Sequence, residues 1–228
     1  DTYYQGCLNI ANLVNAEGST SGELTLGSNY RNSPRNIINL DGGDFTGKIN
    51  YIADSSESRK HGFNINHETV AANAEINISN ADSTTHSIAL GIGDEKVKVK
   101  ALTGGSDTTA IYSGKQAFGN SDAFAAIDNT TRTLEIATDG KDYNANIGVK
   151  NNINLVKSGT GTQNLSGDMS TFNGTVEVSG GTLGFTKSGG SVTVSSLTLD
   201  GGALDVSGTL TLSNVTVDLS KYTAGTNI

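Results

Sequence analysis

The residues of this chain best suited to proton transfer or metal binding are three histidines and a scatter of carboxylates. The string "HGFNINHE" (61–68) places His61 and His67 six apart, with Glu68 beside the second. On one straight strand an even spacing puts both imidazoles on the same face. The string is not HExxH, however, and a metal centre needs ligands converging to ~2.0–2.2 Å of one ion. His61 and His67 therefore read as surface polar residues, and His86 stands apart from both. Asp54, Glu57 and Glu68 lie in the irregular stretch "ADSSESRKHGFNINHE", which also carries Arg59 and Lys60. Two carboxylates ~5–9 Å apart can perform acid–base hydrolysis. These three, with His61 and His67, are the candidates for such chemistry. The Asp-Thr-Gly or Asp-Ser-Gly of aspartic proteases is missing, because "SDTTA" and "ADSS" lack the Gly. Asp41, Asp139 and Asp200 follow strand-like runs, where a short carboxylate shapes a turn. No catalytic residue is assigned.

Further strings come close to known motifs and miss. "DGKDYNANIG" offers Asp139, Asp142, Asn144 and Asn146, a composition like a calcium loop. It lacks the Gly at position six and the Glu at twelve, so a turn cluster is expected ahead of the alternative, a weak exposed calcium site at Asp139, Asp142 and Asn144. "GSTSG" (18–22) has Thr20 where a nucleophile elbow requires Ser. "GGDFTGKIN" (42–50) satisfies a phosphate loop up to Lys48, then presents Ile49 where a hydroxyl should hold magnesium. Its pieces also recur apart from each other. Leu40-Asp41-Gly42-Gly43 returns as Leu199-Asp200-Gly201-Gly202, and Phe45-x-Gly47-x-Ile49 returns as Phe172-x-Gly174-x-Val176. A string reused in pieces reads as a turn, an aromatic corner and the next strand. No cofactor is expected.

The elements that must position these residues are short strands. The chain has 228 residues, 35% of them hydrophobic and 6% aromatic, with no Trp, which is lean for a compact core. Its 29 glycines and single proline suit many strands joined by tight turns. The formal charge of −8 argues against nucleic acid, whose binding needs clustered Lys and Arg. In "KVKVK" (96–100) alternation puts Val97 and Val99 on one face and the lysines on the other, a solvated strand face. Cys7 stands alone, so no intramolecular disulfide forms and the compartment stays open. "YQGC" weakly resembles a lipoprotein cleavage box, but no apolar stretch precedes it, and Cys7 reads as an ordinary thiol. Nothing approaches a membrane-spanning run of ~18 apolar residues. No signal peptide is legible, so a mature or excised piece is expected.

From residue 145 onward apolar residues recur two apart: Val176/Val178, Leu183/Phe185, Val192/Val194, Leu197/Leu199, Leu204/Val206, Leu210/Leu212 and Val215/Val217. Taken in threes, the groups start at Val176, Leu197 and Val215. A step near 20 residues holding three short strands is the pattern of a sheet that coils on itself. The fold expected is all-β, a right-handed parallel β-helix of about nine to eleven coils, each of ~20–25 residues. Residues 1–144 form a divergent solenoid module with loops, in which Ile76/Ile78 return as Val97/Val99. Residues 145–228 form the regular part. Residues 104–130 break the pattern and read as an insertion, with "SDAFAAIDN" as a helical turn capped by Ser121 or Asp122.

Residues 155–185, "LVKSGTGTQNLSGDMSTFNGTVEVSGGTLGF", closely resemble the passenger-associated repeat of bacterial autotransporters. That pattern runs L-x-K-x-G-x-G, L-x-G, an aromatic, G, a strand, then G-x-L. Leu155, Lys157, Gly159, Gly161, Leu165, Gly167, Phe172, Gly174, Val176, Val178, Gly181 and Leu183 match it. The resemblance implies a β-helix exported through an outer-membrane translocator to the surface of a Gram-negative bacterium, with the repeat assisting export and folding. Scarce Cys agrees, since an early disulfide would obstruct threading. The translocator barrel itself is not in this sequence. Because one fold carries many tasks, three expectations follow. The first is a secreted or surface structural and adhesive module, an adhesin-like passenger whose partner is an extracellular glycan or glycoprotein. The second is a secreted carboxylate-dependent hydrolase using Asp54, Glu57 or Glu68. The third is an export and folding segment without a ligand.

Overall fold

The structure is a computed structural model and describes residues 5–29, 35–54, 60–80, 87–118, 124–126 and 130–222. The chain is all-β with long parallel sheets, and the single turn Leu219–Lys221 is the one helical element among the described residues. Alternation dictates this. Strands such as Thr175–Val178 and Ser191–Val194 read exposed, buried, exposed, buried, so each strand hides two side chains and must stack on others to complete a core.

Nine strands follow in hydrogen-bonded succession through a twelve-stranded sheet. They are Gln5–Ile10, Arg35–Leu40, Lys60–Ile65, Ser87–Ile92, Ala101–Ser113, Asp142–Val149, Thr162–Leu165, Thr182–Phe185 and Ala203–Val206. At ~4.8 Å per neighbour the succession extends about 38 Å. A six-stranded parallel sheet runs through Lys96–Val99, Arg132–Thr138, Ile153–Gly159, Thr175–Val178, Ser196–Leu199 and Val215–Val217. Their inward side chains join in one apolar cluster, in which Tyr51 stacks on Phe63 at 5.1 Å between ring centres.

Register follows the sequence spacing in the second half. Val176 faces Leu197 and Leu197 faces Val215. In the first half one expected step is corrected. Ile76 is paired with Leu102, not Val97, and Val97 faces Leu134. The misreading has a physical source: the β-period matches equally well at several offsets, and turn lengths decide among them.

Each early step of the ladder carries two strands, as in Gly22–Asn29 with Arg35–Leu40 and Thr46–Asp54 with Lys60–Ile65. The two tracks merge in Ala101–Ser113, whose first residues pair with Asn73–Asn80 and whose last pair with Ser87–Ile92. Between Gly105 and Ala110 the register against Asp142–Val149 shifts, directly after Gly104 and Gly105, which stand at φ +73° and +85°. The interruption expected at 104–130 is therefore narrower than the sequence suggests, since 104–113 remain in the parallel sheet. Beyond them Gln116–Phe118 pairs antiparallel with Phe124–Ala126, so that part of "SDAFAAIDN" is strand and not helix. Pairing to a neighbouring strand has overridden the helical preference of its alanines. Residues 121–123 and 127–129 lie outside the described residues.

Candidate functional site

The repeat at 155–185 is where sequence and geometry meet most closely. Leu155, Leu165, Val176, Val178 and Leu183 all point into the core and are buried. Phe172 is 1% exposed and packs at a tilt on Phe185, 6.3 Å between centres. The glycines are steric necessities. A Cβ on Gly159 would strike the Thr138 carbonyl, on Gly161 that of Lys141, on Gly174 that of Ile153, and on Gly181 that of Gly161. At Gly167 it would meet the backbone of Ile147 and Gly148. In each case the obstacle belongs to the preceding step of the ladder. The two aromatic corners share this construction, since a Cβ on Gly47 would strike Gly22 as one on Gly174 strikes Ile153. Residues 46–54 continue as a strand, so the near-phosphate loop is a corner leading into the sheet, and Lys48 lies 3.5 Å from Glu75.

Lys157 is the unexpected member. It shares the inward face of its strand with Ile153 and Leu155, and it is fully buried. Its ammonium donates to the carbonyls of Ser158 (2.7 Å), Gly180 (3.1 Å) and Gly159 (3.4 Å). Burial pulls the amine down to about 8. A lysine whose charge meets only backbone oxygens ties the turn after its own strand to the corresponding turn one step later.

Sequence reasoning missed two further constructions. Gln163 is fully buried, and its amide accepts from Leu102 N (2.9 Å) and donates to Leu102 O (3.0 Å), a side chain acting as a surrogate peptide. Its parity with Leu165 in "TQNL" was the available signal. The second is a set of amide ladders. Asn39 donates to Asn9 (2.6 Å), Asn64 to Asn39 (2.8 Å), Asn77 to Asn50 (3.0 Å) and Asn164 to Asn144 (2.9 Å). Glycine closes two of them, because a Cβ on Gly91 or Gly184 would collide with the amide oxygen of Asn64 or Asn164. Asparagines spaced one ladder step apart were the legible trace.

The catalytic candidates are not gathered into a site by the described residues. The Asp54 backbone ends a strand, while Glu57 and His86 lie outside the described residues. Glu68 is exposed beyond the end of Lys60–Ile65 and stands near Lys96. His67 is exposed too, with Nδ1 3.3 Å from Thr69 N. His61 departs from the expectation of a surface residue: it is 1% exposed, on the inward face with Phe63 and Ile65. His67 lies past the strand end, so the two imidazoles do not share one straight strand.

The calcium-like string serves other ends. Asp139 accepts from Tyr143 Oη (2.6 Å) and pairs with Lys100 (2.7 Å), which together hold its carboxyl down at about 2. Burial and the Asp139 hydrogen bond push the Tyr143 phenol up. Asn144 accepts from Asn164, Asn146 donates to Asp107 (3.0 Å), and Asp142 is exposed. No group of three or more His, Cys, Asp or Glu side chains able to hold a metal occurs among the described residues. The "KVKVK" lysines meet carboxylates of the next strand: Lys96 and Lys98 lie 2.7 and 3.3 Å from Glu135. Burial works to raise the Glu135 carboxyl, but hydrogen bonds from Lys96, Ser158 and Lys98 hold it below the usual range. Cys7 is exposed and receives a hydrogen bond from Asn39 (3.3 Å).

No family model, no curated protein and no solved structure matches the chain. No helix among the described residues is long and apolar enough to cross a membrane, which leaves strand-crossing barrels unaddressed.

Proposed function

We propose that this chain is the right-handed parallel β-helix of an autotransporter-type passenger, displayed at the surface of a Gram-negative bacterium. In this reading it is a structural and adhesive module toward an extracellular glycan or glycoprotein. The observation that carries the reading is the placement of the repeat. Residues 155–185 take two steps of the ladder, and the matched Lys, Phe and Gly residues each have a stacking role there. Such a segment suits a chain that folds step by step after threading through a pore, because each turn needs only the one before it as a template.

The test is a binding screen of the purified chain on arrays of glycans and matrix glycoproteins and on host-cell surfaces. Saturable binding to at least one class is expected, and silence across all of them would end the adhesive reading. In the parent chain, deleting residues 155–185 is expected to lower surface delivery, and unchanged delivery would remove the export role.

A further inference from the structure

The geometry points to a pocket for a single pyranose ring at the corner beneath residues 186–190, an inference that deepens the glycan-binding reading above. Its origin is a mismatch of turn lengths. Between Thr182–Phe185 and Ser191–Val194 the chain uses five residues, whereas one step later Ser207 and Gly208 alone join Ala203–Val206 to Thr209–Leu212. The short turn is clamped on both sides: Ser207 N donates to Phe185 O (2.9 Å) and Thr209 N to Gly190 O (2.9 Å). The longer turn cannot stack under it and bulges outward as a tight turn closed by Gly190 N to Lys187 O (3.0 Å). On the other side lies the long corner 166–174, which carries Met169.

The space left over is a cavity of about 200 Å³. Leu165, Met169, Phe185, Val192 and Val206 supply its apolar lining. Asp168, Ser170 and Lys187 add polar groups of both signs. The Asp168 carboxylate is fixed, with Oδ2 on Lys150 Nζ (2.8 Å) and Oδ1 accepting from Ser170 N (3.0 Å), and these bonds hold it well below the usual carboxylate range. Lys187 is exposed on the bulged turn.

Three features select the ligand class. The volume falls below the ~300–1,000 Å³ of pockets for larger organic ligands, so one ring is accommodated. The apolar side of the lining, Met169, Val192 and Val206 with the largely covered Phe185, suits a ring with one C–H face. The polar groups combine a fixed anionic acceptor, a hydroxyl and an exposed cationic donor, which suits a neutral rim of hydroxyls better than a net charge. A pyranose has that combination of apolar face and hydroxylated edge.

Met169 is the single methionine of the chain and is buried in this lining, so a [13C-methyl]methionine label gives one reporter inside the pocket. Titration with a panel of neutral methyl pyranosides is expected to move that resonance saturably, with half-saturation in the millimolar range for at least one sugar. Val206→Phe, which enlarges a lining side chain at the last step of the ladder, and Lys187→Ala, on the exposed turn, are each expected to weaken the response about tenfold. An unmoved Met169 resonance across the panel overturns the pocket, as does an unchanged response in both variants. The array screen separates the two readings. Array binding with a silent Met169 rejects the pocket and leaves the adhesive reading standing. A responsive Met169 with a blank array does the reverse.

Discussion

The two halves of the molecule solve one stacking problem with different materials. In the second half the ladder advances by 20 or 21 residues through most of its steps, as from Gln163 to Leu183 and from Leu183 to Leu204. Its inward positions are largely Val, Leu, Ile and Phe, and its corners are built from Gly. In the first half the steps lengthen, from Ile38 to Phe63 and from Phe63 to Leu90. Two strands share each step there, and asparagine ladders accompany the apolar core. One step, from Val97 to Leu134, is stretched further to contain the 116–126 hairpin. Stacking fixes the inward residues tightly and leaves the length of each turn nearly free. Excursions are tolerated at the corners because loop closure grows costly only slowly with length.

The largest losses are expected at the two aromatic corners. Phe172→Ala and Phe45→Ala each remove a buried ring, 1% and 5% exposed, and each is expected to cost about 3–5 kcal/mol in urea unfolding. Near-equal losses would show that the corner does the same job in both halves. A loss at Phe172 alone would show that the first half does not depend on it.

Lys157 comes next. Lys157→Met removes the donor from three carbonyls, with an expected loss of about 1–3 kcal/mol at neutral pH. Its pH dependence has a defined sign. The folded amine titrates near 8 and the unfolded one near 10.5, so between those values the unfolded state binds more protons and stability rises with pH. The wild type is expected to gain on the Met variant across that window, and a falling difference would mean that the carbonyls outweigh desolvation.

The amide ladders of the first half should yield less. Asn39→Ala breaks the hydrogen bonds to Asn9 and from Asn64, for about 1 kcal/mol by denaturant midpoint. Asp139 acts through pH: its depressed carboxyl adds stability that is fully present above its ordinary value near 3.8 and lost as pH falls toward 2. Asp139→Asn is expected to flatten that part of an acid-unfolding curve. The smallest effect belongs to Lys98→Ala: its half-exposed ammonium lies 3.3 Å from the buried Glu135, which Lys96 and Ser158 continue to hold, so a loss of roughly 0–1 kcal/mol that shrinks in high salt is expected.

Alternation and Gly placement made the second half readable residue by residue, including the register Val176–Leu197–Val215. The repeat motif also located Lys157, although its burial on carbonyls was not legible, because sequence pattern does not distinguish an inward lysine from a strand-edge one. The first half was readable as strands but not as a register, since Ile76 finds apolar partners of the right parity at more than one offset. His61 shares parity with Phe63 and Ile65, which carries it inward, whereas its polarity alone suggests the surface. Gln163 and the corner cavity depend on how unequal turns stack, which no single strand reveals.

Successive strands within each sheet of the second half are parallel neighbours, as Val176 with Leu197 and Leu183 with Leu204. Scalar couplings across backbone hydrogen bonds test it directly. The amides of Ser179, Asp200 and Asp218 are expected to couple to the carbonyl carbons of Lys157, Val178 and Leu199 respectively. Couplings that instead join sequence-adjacent strands in antiparallel order, such as Ser191–Val194 to Ser196–Leu199, would contradict it.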